Sequence, residues 1–225
     1  MLNYTGQLGT VSTLTHELGH SLHSHYAWKA QPVIYTQYGD IVSETASNLH
    51  QVLLADHLLK TSDDPEVQIA VIQERMGGNL RYLFNMVLLA RFELDCHERV
   101  ERGEALTADG MIEAMANLYV DAYGDSVVLD RERTGIRWAT LPHLYLPFYA
   151  YSYGAGTATA YAIGQQIIEQ GRPAAERAIA MFAAGDSVYQ HEAIQLGGAD
   201  LRDPAVYQSA FDVLAGYVDR LEQLI

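Results

Sequence analysis

The sequence is poor in the features that mark secreted and membrane proteins. Its 225 residues include one cysteine, Cys96, so an intrachain disulfide is excluded and a reducing compartment is favoured. No apolar run approaches the roughly 20 residues that a helix needs to cross a bilayer. The N-terminus shows no pattern of a secretory signal peptide. These absences predict a cytoplasmic protein that does not enter a membrane.

Positive charge is also scarce. Lys and Arg number 14 against 28 Asp and Glu, which gives a net charge of −14. This acidity argues against nucleic acid and anionic membranes as partners, and it is compatible with peptide substrates. Apolar residues make up 49% of the chain and charged residues 19%, as in ordinary globular proteins. The length allows one core or two subdomains, and because no linker or repeat separates them, we treat residues 1–225 as one portion.

The most informative segment is His16-Glu17-Leu18-Gly19-His20. Two histidines four residues apart lie on the same face of a helix, where both can bind one metal ion. A glutamate beside the first histidine can reach a water molecule held by that metal. This is the His-Glu-x-x-His pattern of zinc metallopeptidases. The alternative is a polar helix face with two solvated histidines.

The residues around this segment favour a helix. Val11, Leu14 and Leu18 mark an apolar side at helical spacing. Gly19 costs about 1 kcal/mol of helix stability relative to alanine, so we expect another element to approach the backbone closely there. Three residues near the start have side chains that can cap the helix: Thr10, Ser12 and Thr13.

A catalytic zinc site needs a third protein ligand. The metzincin pattern requires Gly at position 23 and His at position 26, whereas the chain has His23 and Tyr26. The other common solution is a glutamate on a following helix. Glu44 lies 24 residues after His20, beyond a turn signal at Gly39. A helix, a loop and an antiparallel helix would bring it back to the histidines. The alternative is a solvated carboxylate near a helix start.

Helical spacing and capping residues recur along the rest of the chain and predict a mainly α fold. Residues 1–9 are predicted to be extended, Gly77-Gly78 to kink a long helix, and 125–147 to form an irregular loop that carries His143. The predicted helices cover residues 10–28, 40–60, 65–102, 107–123, 148–170, 173–184, 187–196 and 204–224.

Several motifs in this order resemble peptidase family M3, and its oligoendopeptidase F branch in particular. The similar segments are His16–Ser24, Gln31-Pro32, Glu44-x-x-Ser47, Trp138–Gly156, Phe182–Ala199 and Asn3–Gly6. The resemblance runs almost from end to end and implies a zincin-like helical catalytic domain with the zinc site on two adjacent helices. Family members are considerably longer, so it also implies that residues 1–225 are the C-terminal catalytic portion, without the N-terminal helical region.

The resemblance implies one Zn²⁺ per chain, bound by His16, His20 and Glu44, with Glu17 as the general base. Asp40, one turn before Glu44, is interpreted as a helix N-cap, and a hydrogen bond to a ligand histidine is the alternative.

The resemblance also assigns substrate binding and stabilisation of the oxyanion to a histidine and a tyrosine. His143 matches the histidine. Three tyrosines are candidates for the second role. We favour Tyr153, then Tyr149, which shares its face on a helix, and then Tyr151. Packing is the alternative role for each tyrosine.

The predicted function is a zinc endopeptidase that hydrolyses short oligopeptides. One alternative is a helical zinc metallocarboxypeptidase, for which only Arg131, Arg133 and Arg137 are candidates to bind a substrate C-terminus. The other is a catalytically incomplete zinc-binding fragment or subunit. Its partner would be a complementary N-terminal segment or a second copy of the chain.

Overall fold

Every regular element in residues 3–225, the part of the chain that the computed structural model describes, is a helix. The prediction of a mainly α-helical fold is confirmed. The α-helices are α1 (Leu8–Ala30), α2 (Asp40–Thr61), α3 (Pro65–Asn79), α4 (Met86–Glu101), α5 (Ala108–Tyr123), α6 (Arg131–Gly135), α7 (Tyr151–Gln170), α8 (Arg172–Ala183), α9 (Gln190–Gly197) and α10 (Pro204–Leu224). None of these helices is long and apolar enough to span a membrane.

Local capping signals account for some of the helix starts. The side chain of each cap accepts a hydrogen bond from a backbone N–H in the following turn, and a proline opens α3 and α10. The caps that confirm the predicted starts are Asp64, Thr107 and Asp203. Gly124 ends α5 with φ +52°, a conformation that a glycine adopts without strain.

The predicted start of α1 is wrong. The helix begins at Leu8 after Gln7, so residues 8 and 9 are helical rather than extended; residues 1 and 2 lie outside the described part. The hydroxyls of Thr10 and Thr13 donate to the carbonyls of Gln7 and Gly9 instead of capping the helix. Threonine hydroxyls commonly bond to a carbonyl one turn back in this way.

Two other expectations also need correction. Gly77 and Gly78 remain within α3, and the irregularity follows them as a π-helical stretch, Leu80–Asn85. Residues 125–147 are not a featureless loop, because they contain α6 and short 3₁₀ turns whose length is too small to show periodicity. Within residues 3–225, the 3₁₀ turns are Val33–Tyr35, Gly124–Ser126, Ile136–Thr140 and Pro142–Tyr145.

The described chain divides into two compact units. The first contains the residues up to Leu80 together with Ala155–Ile225, and the second contains Arg81–Gly154. The core of the second unit consists of Met86, Leu88, Leu89, Phe92, Met115, Tyr119 and Ala150.

Within the first unit, α1 packs closely along α2, and this is the most extensive contact between two helices of the described residues. The buried residues of α1 are small or polar: Ser12, Gly19, His23 and Ala27. The predicted apolar side is therefore not the buried one, since Leu14 and Leu18 are 40% and 51% exposed. A Cβ on Gly19 would lie 2.6 Å from the Cα of Ser47. This is the close approach that the glycine led us to expect, and large apolar side chains would not fit on that face.

Candidate metal centre

Three side chains from two adjacent helices converge in the first unit. His16 and His20 lie on α1 and Glu44 on α2, and one ligand atom from each lies within 4.8 Å of the others. The Nε2 of His16 is 3.8 Å from the Oε2 of Glu44. Glu44 is buried, and both histidines are partly buried. The two helices thus place two imidazoles and a carboxylate around one point.

Hydrogen bonds hold both imidazoles from the side opposite this point. The Nδ1 of His16 lies 3.1 Å from the Oε1 of Gln51, and the Nδ1 of His20 lies 3.0 Å from the hydroxyl of Ser43. With both Nδ1 atoms engaged, each ring has its Nε2 available for a metal. The prediction that Asp40 caps α2 is wrong, because Gly39 is the N-cap and Asp40 is the first helical residue. The alternative role also fails, since the side chains that bond to the two histidines are those of Gln51 and Ser43.

Burial controls the charge of these groups. It lowers the pKa values of His16 and His20, which keeps the imidazoles neutral with free lone pairs. It raises the pKa of Glu44 to about 7, and the nearby carboxylates of Asp40 and Glu17 add to this rise. A buried carboxylate without a cationic partner is costly, and a divalent cation would supply the missing charge. The donor set fits a catalytic zinc ion.

Two glycines allow the backbones of neighbouring helices to approach α2, the helix that carries Glu44. Gly19 on α1 packs against Ser47, and a Cβ on Gly156 of α7 would lie 2.8 Å from the Cβ of Glu44. Gly156 therefore has a packing role beside Glu44. Glu17 remains exposed on α1, next to the first histidine.

The second unit brings together His143 and two of the three candidate tyrosines. His143 lies in the turn Pro142–Tyr145, and its Nε2 is 3.4 Å from the hydroxyl of Tyr153. The ring of Tyr149 lies 5.8 Å from that of His143 and 5.5 Å from that of Tyr153. Tyr149 precedes α7, so the expectation that Tyr149 and Tyr153 share a helix face is wrong, although their rings do meet. Tyr151 is 44% exposed.

Comparison with known proteins decides the family. Residues 1–213 match the profile described as Peptidase family M3. The chain belongs to peptidase family M3. The resemblance found in the sequence motifs is therefore confirmed.

The relatives that the M3 chain resembles in sequence and structure include proteins named as oligopeptidases and oligoendopeptidases. It is 32% identical to Oligopeptidase PepF of Bacillus subtilis, over 100% of this chain and 33% of the relative. It is 29% identical to the chromosomal Oligoendopeptidase F of Lactococcus lactis subsp. cremoris, over 100% of this chain and 37% of that protein. The crystal structure of oligoendopeptidase-F from Enterococcus faecium matches with a TM-score of 0.83 at 29% identity, over 96% of this chain and 40% of that chain. The M3 chain spans about a third of the length of these curated relatives.

Motif analysis of the M3 chain did not find the residues that hold the imidazoles. Gln51 lies 35 positions from His16 and Ser43 lies 23 positions from His20. No sequence spacing predicts either contact, because both depend on how α2 packs against α1. Heptad-like spacing along α2 indicates that Ser43, Glu44, Ser47 and Gln51 share one side of that helix, and this is the only signal that could have suggested them.

Proposed function

We propose that the chain is the catalytic portion of a zinc-dependent M3 metalloendopeptidase that hydrolyses peptide bonds in short oligopeptides. The observation that supports this most directly is the convergence of His16, His20 and Glu44 on two adjacent helices, with Glu17 beside the first histidine. Treating residues 1–225 as one catalytic portion is part of the proposal. A location in the cytoplasm stays a prediction.

The roles of the residues follow from their chemistry. Zinc bound by His16, His20 and Glu44 would polarise the substrate carbonyl and acidify a water molecule. Glu17, exposed and adjacent to the ligands, accepts a proton from the attacking water and passes it to the leaving amine. The imidazoles act as neutral metal ligands, because burial lowers their pKa values and so disfavours the doubly protonated imidazolium form.

The developing oxyanion needs hydrogen-bond donors. On the family resemblance, we assign this role to His143 and Tyr153, with Tyr149 and Tyr151 as further substrate-binding side chains. The observation that supports the assignment is that Tyr153 and Tyr149 both lie against His143 in the second unit. Tyr153 has the stronger claim, since its hydroxyl lies close to the imidazole.

A specific feature also favours the second candidate, a zinc-binding fragment or subunit that needs a further segment. Leu14, Leu18 and Leu22 follow one another at intervals of four residues along α1 and are each at least 40% exposed. An apolar stripe of this kind is typical of a surface that binds a partner.

The carboxypeptidase alternative has no comparable support. Arg131 donates to the side chain of Asn117, and Arg137 lies over the ring of Tyr119. Arg133 pairs with the carboxylate of Asp130, so all three arginines have other partners.

Metal content and peptide cleavage, measured together, test the proposal. We expect about one zinc per purified chain, lost in His16→Ala, and cleavage of internally quenched oligopeptides. Glu17→Gln should keep zinc but lose turnover by at least about 100-fold, the scale of general-base catalysis. Zinc without turnover in the unmodified chain would favour the incomplete fragment. Absence of zinc after reconstitution would refute both candidates.

A further inference from the structure

A buried side-chain amide connects the two helices of the candidate metal centre. The Nε2 of Gln51 on α2 donates to the hydroxyl of Ser12 on α1 at 2.7 Å. The Oε1 of the same amide faces the Nδ1 of His16 at 3.1 Å. Gln51 is 8% exposed and Ser12 is 3% exposed. Ser12 lies one helical turn before His16, so the amide spans both residues from one side.

The two histidines are held by groups of different chemistry. A hydroxyl such as that of Ser43 can donate or accept, so it is compatible with either tautomer of His20. An amide oxygen can only accept. When Gln51 presents its oxygen, the Nδ1 of His16 must carry the proton, and its Nε2 keeps the lone pair that a metal needs.

We propose that Gln51, which also bonds to Ser12, is a positioning residue that selects the Nδ1–H tautomer of His16 and directs its Nε2 towards Glu44. The inference rests on the proposed function only in naming zinc as the ion that the Nε2 binds. The tautomer itself is a property of the chain without metal.

The choice of an amide has a further consequence. A carboxylate in this place would orient the ring and add negative charge, which makes the imidazole a stronger donor. Glutamine orients the ring without that charge. Gln51→Glu should therefore keep the acceptor and preserve or strengthen zinc binding. Gln51→Leu has a similar size but no acceptor, so it should release the ring.

The first test needs no metal and no substrate. The ring-nitrogen resonances of His16 in the ¹⁵N-labelled, metal-free chain report which nitrogen is protonated, and the His16→Ala variant identifies them. We expect the Nδ1–H form in the unmodified chain and in Gln51→Glu. Gln51→Leu should lose this preference, and Ser12→Ala should weaken it, because the amide then loses one of its two hydrogen-bond partners. An Nε2–H form in the unmodified chain, or one pattern in all variants, would overturn the inference.

The second test measures zinc affinity by competition with a chromophoric chelator. Gln51→Leu should bind zinc about 10- to 100-fold more weakly, and Gln51→Glu should restore the affinity. The matched control is Val52→Ala, the truncation of a neighbour on α2 that is 2% exposed and bonds to neither histidine. Equal losses in Gln51→Leu and Val52→Ala would mean that general destabilisation is the cause, and the inference would fail. If no variant bound zinc, the proposed function would fail while the resonances still decided the inference.

Discussion

Gly19→Ala sets two physical effects against each other in the helix that carries both histidines. Alanine is favoured over glycine within a helix by about 1 kcal/mol, so propensity alone predicts a more stable protein. Packing predicts the reverse. The new Cβ would lie 2.6 Å from the Cα of Ser47 and 2.7 Å from the carbonyl oxygen of Ala46, and both atoms belong to the backbone of α2.

The size of the packing effect follows from these distances. Carbon atoms in contact sit about 3.5–4.0 Å apart, so α1 and α2 must separate by about 1 Å. No rotamer change can relieve a clash with backbone. Overpacking of a core costs about 1–3 kcal/mol, and we take the upper part of that range here. After subtracting the gain in propensity, Gly19→Ala should lower the free energy of unfolding by about 1–2 kcal/mol.

The same displacement should reach the metal centre, because His16 and His20 lie on one of the two helices and Glu44 on the other. A shift of about 1 Å at a catalytic constellation can reduce activity by about 100-fold. Because the displacement would also move the two histidines away from Glu44, we expect weaker zinc binding as well as lower stability.

Urea denaturation and chelator competition measure the two effects. The control is Gly216→Ala on α10, where a Cβ would meet nothing within 4 Å; it should gain up to about 1 kcal/mol and leave zinc affinity unchanged. If Gly19→Ala were stabilised like the control, the close approach of the helices would not constrain this position, and the reasoning would be wrong.

Three further predictions concern buried and catalytic groups. Burial lowers the pKa of His23 to about 3, so its contribution to the free energy of unfolding should be complete above pH 6.5. That contribution should decrease between about pH 6.5 and pH 3, by up to about 1.4 kcal/mol per pH unit. If the urea midpoints of His23→Phe decreased with pH as steeply as those of the unmodified chain, the prediction would be contradicted. Tyr161→Phe removes a hydroxyl that accepts from the buried Arg75 and should cost about 1–3 kcal/mol in thermal unfolding, and an unchanged midpoint would refute that role. Elemental analysis should show that Glu44→Ala has lost zinc, whereas His143→Ala should retain zinc and cleave peptides more slowly. The opposite pattern would reassign the roles of both residues.

Local chemistry made much of the fold predictable. Asp64-Pro65 and Asp203-Pro204 fix helix starts through contacts within a few residues, so no tertiary information is needed. The two histidines of the candidate metal centre lie one helical turn apart, so their spacing alone places them on one face of the helix. Predicting that Glu44 lies near the histidines required only the further assumption that the next helix runs antiparallel to α1.

Predictions failed where an outcome depends on what packs against a residue. Leu14 and Leu18 look like a buried face, yet α1 buries its small residues because α2 approaches at Gly19. Gln51 reaches His16 across 35 positions, a distance that no short motif spans. Tyr149 meets Tyr153 from outside the helix, since α7 begins two residues after Tyr149.

The tight contact of α7 with the stem of Glu44 has a thermodynamic consequence. With the backbone at Gly156 so close to its Cβ, Glu44 has few conformers available, and hydrogen bonds already hold His16 and His20. The entropy of ordering these side chains is lost when the chain folds and not when an ion arrives. Metal binding should therefore leave the backbone conformation of α1 and α2 almost unchanged, so that the empty and loaded forms share one structure.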